Sequence, residues 1–96
     1  MIEIRQIESG SKGFFGAFDG NTEAGRISYI FAGNTRMILD HTDVDDAYRG
    51  QGIGKKILMK IVDFARANKI EIIPLCPFAK SVFDKTESIR DVLVRP

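Results

Sequence analysis

The 96-residue sequence has little of what marks secreted, membrane or zinc-binding proteins, with one cysteine, one histidine and no tryptophan. A single cysteine cannot form a disulfide within the chain, and no spacing of Cys and His resembles a zinc site. No apolar run approaches the roughly 20 residues that a membrane-spanning helix needs. The N-terminus alternates charged and apolar residues and lacks the apolar segment of a signal peptide. These absences predict a cytoplasmic protein with no metal site and no membrane partner.

The charges are nearly balanced, with 14 Lys and Arg against 13 Asp and Glu, for a formal net charge of +1. A dedicated nucleic-acid binder normally shows a strong basic excess, so no nucleic-acid partner is expected. Hydrophobic residues make up 44% of the chain and charged residues 28%, which is ordinary for a folded domain. The length predicts a single domain over residues 1–96.

The first half of the chain has the period-two pattern of strands. Ile2, Ile4 and Ile7 alternate with polar residues, which predicts a strand with one buried face. The turn-forming segment SGSKG follows, and Gly20-Asn21 and Gly33-Asn34 mark two further turns. The apolar segments between the turns are FFGAFD (14–19), TEAGRISYIFAG (22–33) and RMILDHTDV (36–44). This half therefore predicts an antiparallel meander of about four strands.

The second half changes to a helical period. Apolar residues recur at helical spacing between Ile53 and Asn68, and Asn68-Lys69 can end the helix because Asn tolerates the left-handed conformation. The run IEIIPL (70–75) is typical of a buried strand, and a strand-helix-strand unit predicts that it lies parallel to RMILDHTDV. PFAKSVFDK (77–85) and SIRDVLV (88–94) indicate short helices, the second with Ser88 as a cap. The predicted fold class is α/β (α+β): a meander, a βα unit that adds a parallel strand, and a C-terminal helix or helices.

The loop before the long helix, DAYRGQGIGKK (46–56), places three glycines at alternate positions and then two lysines. It fits neither a P-loop nor a dinucleotide fingerprint. Glycines permit positive φ and close approach of a ligand, and the first turn of a helix offers unpaired N–H groups to an anion. Lys55 and Lys56 oppose the helix dipole there, so a bound phosphate would explain them. The alternative is a tight turn with solvated lysines.

Four short segments in this order resemble a known family. Arg49 to Gly54 fits the Arg/Gln-x-x-Gly-x-Gly/Ala signature of the GNAT superfamily of acyl-CoA-dependent acetyltransferases. Together with HTDV (41–44), FARAN (64–68) and PLCPF (74–78), it resembles a family of very small GNAT-like proteins. The resemblance implies a GNAT-like fold and an N-acetyltransferase that moves an acetyl group from acetyl-CoA to an amine of a small molecule or peptide.

The resemblance also implies where coenzyme A would bind. The pyrophosphate would be held by backbone N–H groups of the glycine loop, and the pantetheine arm would run beside the end of the RMILDHTDV strand. The implied cofactor-binding residues are Thr42, Asp43, Val44, Arg49, Gly50, Gln51, Gly52, Ile53, Gly54 and Lys55.

His41 and Cys76 are the candidate catalytic residues. His41 ends a strand beside the expected thioester and could act as a general base, although a lone histidine is often structural. Cys76 follows the second parallel strand, where open α/β sheets bind ligands. The resemblance suggests it as an acyl-accepting or positioning group, and the alternative is a buried cysteine that acts as a small hydrophobe.

Further residues near the loop have two interpretations. Four acidic residues beside the loop either belong to a solvated strand end and turn or attract a cationic amine acceptor: Asp40, Asp43, Asp45 and Asp46. Tyr48 could be a packing residue, and Phe78 and Phe83 are expected in the core.

The chain also departs from full-size GNAT domains. Those domains carry N-terminal helices that build the acceptor site, and none is predicted before residue 50. They often place a tyrosine on a later helix, and no tyrosine follows Pro77. Two alternatives to an enzyme follow: a non-enzymatic acyl-CoA-binding or sensor protein, and a protein-interaction module on the same scaffold. We expect a monomer, whose acceptor site a partner protein could complete.

Overall fold

The computed structural model describes residues 1–94, in which five strands form one sheet. The strands are Ile2–Ser9 (β1), Lys12–Asp19 (β2), Thr22–Ala32 (β3), Arg36–Val44 (β4) and Glu71–Pro74 (β5). The order of the strands in the sheet is their order along the chain. Neighbouring strands from β1 through β4 run antiparallel, and β5 runs parallel to β4. The predicted meander and the added parallel strand are therefore confirmed. Residues 95 and 96 of the predicted domain lie outside the described residues.

The helices form a layer on one face of the sheet, called here the helix face. They are Ile53–Asn68 (α1), Pro77–Lys85 (α2) and two 3-10 helices, Asp46–Tyr48 and Glu87–Val92. The apolar stripe of α1 packs on β2, β3 and β4, and the buried residues of α2 and of the C-terminal 3-10 helix join the same core. None of the helices in this range has the length and hydropathy to span a membrane.

The core lies between this helix layer and the sheet. Ile27 and Leu39 point up from the sheet and Leu58 points down from α1, and all three are fully buried. Burying one such side chain contributes roughly 1.5–3 kcal/mol. Helix formation by α1 therefore depends mainly on packing, since an isolated helix of this length is marginal in water.

The other face of the sheet, called here the open face, has no helix over it in the described part of the chain. Phe14 and Phe18 are only half-buried there. The guanidinium carbon of Arg26 lies 3.7 Å from the ring centroid of Phe14, and that of Arg5 lies 5.0 Å from the ring of Phe18. Arginine side chains thus cover the aromatic rings that no helix covers.

One strand prediction was wrong in its detail. Ile2, Ile4 and Gln6 share the half-buried side of β1, whereas Ile7 is 44% exposed. Successive side chains on a strand point to opposite faces, so an odd-numbered residue here must face away from Ile2 and Ile4. Ile7 therefore belongs to the open face.

Two helix ends also differ from the prediction. Lys69, not Asn68, takes the left-handed conformation after α1, with φ of +54°. The Asn68 side chain instead donates a hydrogen bond to the Phe64 carbonyl oxygen at 2.9 Å. The last helix is a 3-10 helix that starts at Glu87, so Ser88 lies inside it and does not cap it.

Candidate functional site

The N-terminus of α1 leaves its first backbone donors without partners. Gly52 occupies the N-cap position, where it has no side chain to accept a hydrogen bond. The first bond of the helix runs from the Lys56 N–H to the Gly52 carbonyl oxygen at 3.0 Å. None of the hydrogen bonds within residues 1–94 uses the amides that precede it, those of Gly52, Ile53, Gly54 and Lys55. Such a group of amides stabilises an anion, and the helix dipole adds to the effect.

The three glycines of the loop have two different physical roles. Gly50 and Gly52 have φ of +82° and +71°, a region that costs other residues about 1–2 kcal/mol. Gly54 has ordinary helical geometry, but a Cβ there would lie 2.7 Å from the Phe78 ring. Its missing side chain lets Phe78 close over the start of α1. Phe78 is 36% exposed, so the prediction that it lies in the core was wrong.

The second wall of the site is the end of β4, where β4 and β5 separate. Their pairing stops at Leu39 and Pro74, and the N–H groups of Leu75 and Cys76 both donate to the Leu39 carbonyl oxygen at 3.0 Å. A register shift against β3 leaves Asp40 as an extra residue, a β-bulge. Beyond it β4 pairs with β3 alone, so its other edge is open as far as residue 44.

A cavity of about 410 Å³ lies between these two walls. Nine of the ten residues predicted to bind the cofactor line it; the tenth, Gln51, is exposed and does not. The lining consists of Thr42, Asp43, Val44, Tyr48, Arg49, Gly50, Gly52, Ile53, Gly54, Lys55 and Phe78. The structure thus brings two distant segments of the sequence together at one place.

Phe78 and Tyr48 are the lining residues that sequence reasoning did not assign to the site. Phe78 follows Pro77 in the first turn of α2, directly after the carboxyl end of a parallel strand, and that position could have indicated it. The Tyr48 hydroxyl donates to Asp19 Oδ2 at 3.0 Å. This hydrogen bond, with some desolvation and the nearby negative charge, raises the pKa of Tyr48. Tyr48 therefore keeps its proton to a higher pH than an unperturbed tyrosine does.

The charges at the site differ in how firmly they are held. Arg49 Nε lies 2.6 Å from Asp46 Oδ1, and both side chains are exposed. An exposed pair of this kind contributes about 0–1 kcal/mol, so an incoming phosphate could displace it. Lys55 takes part in none of the ion pairs of the described residues. Among residues 1–94, therefore, the cavity lining has one cation without an ion-pair partner, Lys55, and one that is weakly held, Arg49.

The four acidic residues near the loop divide into two pairs. Asp45 accepts a backbone N–H at the start of the first 3-10 helix, and Asp46 pairs with Arg49. These two have local structural partners. Asp40 and Asp43 are exposed on β4, and only Asp43 lines the cavity.

Cys76 lies at the N-cap position of α2 and is 4% exposed. Its Sγ lies 3.2 Å from the Thr42 hydroxyl, and either group can donate the hydrogen bond. Thr42 lines the cavity, so the thiol is one side chain away from it. The contact joins the end of β4 to the start of α2.

His41 lies on the other side of the sheet from Cys76. Adjacent strand residues point to opposite faces, and Thr42 points to Cys76. His41 pairs with Ser28, is exposed and belongs to the open face. The structure thus does not bring the two candidate catalytic residues together, and neither lines the cavity. Their roles stay predictions.

Comparisons with known proteins place this geometry among acetyltransferases. The sequence profile described as GCN5-related N-acetyl-transferase matches residues 14–92. A GCN5-like protein from Staphylococcus aureus, solved by NMR, is 40% identical with a TM-score of 0.73, over 98% of this chain and 89% of that one. No curated protein matches significantly.

Two larger enzymes share the fold at lower identity. A GNAT family acetyltransferase from Elizabethkingia anophelis, solved with acetyl-CoA bound, is 14% identical, with a TM-score of 0.64 over 76% of this chain and 63% of that one. A ribosomal-protein-alanine N-acetyltransferase from Brucella melitensis is 15% identical, with a TM-score of 0.69 over 92% and 65%. This chain therefore spans less than two thirds of the length of either enzyme.

Proposed function

Because the chain belongs to the GCN5-related N-acetyltransferase family, we propose that it moves an acetyl group from acetyl-CoA to an amine of a small molecule or peptide. The observation that carries the proposal is the start of α1. Its four unpaired amides, those of Gly52 to Lys55, adjoin a cavity whose opposite wall is the open edge of β4. An anion and an extended chain are what these two walls would bind.

Each wall would hold a different part of coenzyme A. The amides of residues 51–55 would bind the pyrophosphate, and Arg49 would exchange its pairing with Asp46 for a phosphate oxygen. The pantetheine arm would lie along residues 42–44. It would donate hydrogen bonds to, and accept them from, the backbone at the β4 edge, as an added strand does. Phe78 would exclude water from one side of the arm.

The chemistry needs an acceptor for one proton. The amine nitrogen attacks the thioester carbonyl carbon, the C–N bond forms, the C–S bond breaks, and sulfur leaves as the coenzyme A thiolate. The attacking nitrogen loses a proton to a base. The base can then pass this proton to the coenzyme A thiolate. We assign His41 as that base, since imidazole commonly carries protons at neutral pH. Because His41 lies on the open face, the amine would approach from that face.

A route through Cys76 divides the transfer into two steps. The acetyl group would pass to Sγ with release of coenzyme A, and the amine would then take it from the new thioester. The Cys76 thiol is 4% exposed and hydrogen-bonded to Thr42, so a movement of the protein must first expose it to the thioester. Direct transfer needs no such movement and is therefore our leading mechanism.

A non-enzymatic acyl-CoA-binding protein is the second candidate function. The separation of His41 and Cys76 on opposite faces favours it, since neither of these two candidate catalytic residues lines the cavity. In this case the cofactor site would be retained without acceptor chemistry.

Release of free thiol from acetyl-CoA across a panel of amines tests the proposal. The enzyme account predicts amine-dependent release that His41→Ala reduces about a hundredfold or more while acetyl-CoA still binds. Lys12→Ala, an exposed change at the β1–β2 hairpin, is the matched control and should change nothing. Binding without amine-dependent release would favour the second candidate. An acetyl adduct on Cys76, seen by mass spectrometry, would replace direct transfer with the two-step route.

A further inference from the structure

A second cavity lies between β1 and the first turns of α1, and its volume is about 760 Å³. It is lined by Met1, Ile2, Ile4, Gly52, Lys55, Lys56, Met59, Lys60 and Asp63. Its size is in the usual range of small-molecule sites. We propose that this cavity binds a small amphipathic anion, with an aliphatic body and one carboxylate, at a site separate from the acetyl-CoA cavity.

The floor of the cavity is apolar because α1 does not reach the edge of the sheet. The helix packs on β2, β3 and β4, and the gap between it and β1 is the cavity. Ile2 and Ile4 point to the helix face and remain half-buried, as does Met59 on the facing side of α1. A ligand with an aliphatic body would cover this surface, which the protein itself leaves in contact with water.

The rim of the cavity is cationic. Lys55, Lys56 and Lys60 line it together with a single acid, Asp63, so the local charge is positive. None of the three lysines takes part in an ion pair among residues 1–94. Lys56 and Lys60 are four residues apart on the helix, where like charges repel. A carboxylate between their ammonium groups would relieve that repulsion and gain two charge-assisted hydrogen bonds.

This combination selects the class of ligand. A fully polar anion such as free phosphate would leave the isoleucine and methionine surface uncovered. An uncharged aliphatic molecule would use the floor but not the lysines. The chemistry that uses both is a fatty acid or a similar aliphatic carboxylate.

Within the described part of the chain, the two cavities share Gly52 and Lys55 alone, at the start of α1. A carboxylate held between Lys56 and Lys60 and a pyrophosphate at the first turn would place two anions close together at the start of α1, where they repel each other. Each ligand should therefore weaken the other, and by the same factor, since coupling between binding sites is reciprocal. The second site would then sense an aliphatic acid and lower cofactor occupancy.

Decanoate, kept below its critical micelle concentration, is the probe for this site, and amide shifts of the ¹⁵N-labelled protein are the readout. Saturable shifts are expected at Ile2, Ile4 and Met59, with little change at residues 42–44. Decanol and acetate, which lack the charge and the aliphatic body respectively, should bind at least about tenfold more weakly, a factor that corresponds to 1.4 kcal/mol. Shifts centred on residues 42–44 would mean that the chain enters the acetyl-CoA cavity, which overturns the proposal.

A double variant separates charge from packing. Lys56→Gln with Lys60→Gln should weaken decanoate binding about tenfold or more and leave decanol binding unchanged. Lys12→Gln with Lys80→Gln removes two exposed lysines that do not line the cavity and should have no effect. Equal binding of decanoate to both double variants would contradict the site. So would coenzyme A itself shifting Ile2, Ile4 and Met59 while decanoate does not bind.

Discussion

The two faces of the sheet are stabilised in different ways. On the helix face, side chains such as Ile27 and Leu39 are fully buried under α1. On the open face, Phe14 and Phe18 are half-buried under arginine side chains that also form ion pairs. The stabilisation from hydrophobic burial scales with the apolar area buried, whereas exposed ion pairs are weak and are screened by salt. Most of the folding free energy should therefore come from the helix face, while the open face stays free for an acceptor or partner.

The largest expected difference between the faces is in core packing. Leu58→Ala should lower the free energy of unfolding by about 2–5 kcal/mol, because Leu58 is fully buried between α1 and the sheet. Ile7→Ala on the open face should change it by about 0.5 kcal/mol or less, since Ile7 is 44% exposed. Urea denaturation measures both. Equal losses would show that the open face carries as much of the core as the helix face.

The next effect separates strain from binding at the start of α1. Gly52→Ala should cost about 1–2 kcal/mol of stability because φ is +71°, and it should weaken acetyl-CoA binding about tenfold. Gly33→Ala is a matched control at the β3–β4 turn, with φ of +75° and equally open surroundings. It should cost the same stability and leave acetyl-CoA binding unchanged. An equal loss of binding in both variants would mean that the effect is general destabilisation.

A smaller effect on the free energy of unfolding is expected for the arginine side chains that lie over the aromatic rings of the open face. Arg26 lies over Phe14 and pairs with Glu23 through Nε at 2.8 Å and Nη2 at 2.6 Å. A double-mutant cycle of Arg26→Met and Phe14→Leu should give a coupling energy of about 0.5–1 kcal/mol. Arg36→Met, which removes an exposed pair at 3.5 Å, should be close to neutral. A coupling of zero would show that Arg26 does not stabilise the ring.

The smallest expected effect is a pH dependence of the stability that comes from Tyr29, a buried residue of β3. Burial raises the pKa of Tyr29 above 10.0, against an opposing hydrogen bond from Gln6. Between pH 10.0 and the higher folded-state pKa, the unfolded chain holds fewer protons than the native one, so stability falls as pH rises through this window. Below pH 10.0 this contribution is fully present. Tyr29→Phe should remove this pH-dependent part of the stability, and urea denaturation at several alkaline pH values would measure the change. If the free energy of unfolding fell with pH as steeply as before, another titrating group would be responsible.

Most of the fold could be predicted because local patterns and packing agree. The bounds of α1, Ile53–Asn68, follow from the apolar stripe, and those of β4, Arg36–Val44, follow from flanking turn residues. Ile7 was misassigned because a β-branched residue indicates a strand but not which face it occupies. The turn after α1 was misassigned because Lys69 takes a conformation that propensity gives to Asn68.

The sequence predicted which segments of the chain form the candidate site, but it could not predict how their side chains are arranged in space. The glycine loop and the HTDV segment line one cavity, as their resemblance to the GNAT pattern suggested. Sequence alone could not show that the bulge at Asp40 turns His41 to one face and Thr42 to the other. It also gave no reason to link Phe78 with Gly54, since that contact depends on how α2 meets α1.

A titration of the ¹⁵N-labelled protein with coenzyme A, followed through its amide resonances, tests directly whether the start of α1 binds the pyrophosphate. We predict saturable shifts for the amides of residues 50–55 and 42–44, with the largest at Gly52 to Lys55, and a dissociation constant about tenfold higher in Gly52→Ala but unchanged in Gly33→Ala. Amides of residues 50–55 that do not move at saturating coenzyme A would contradict the claim that the start of α1 binds the pyrophosphate.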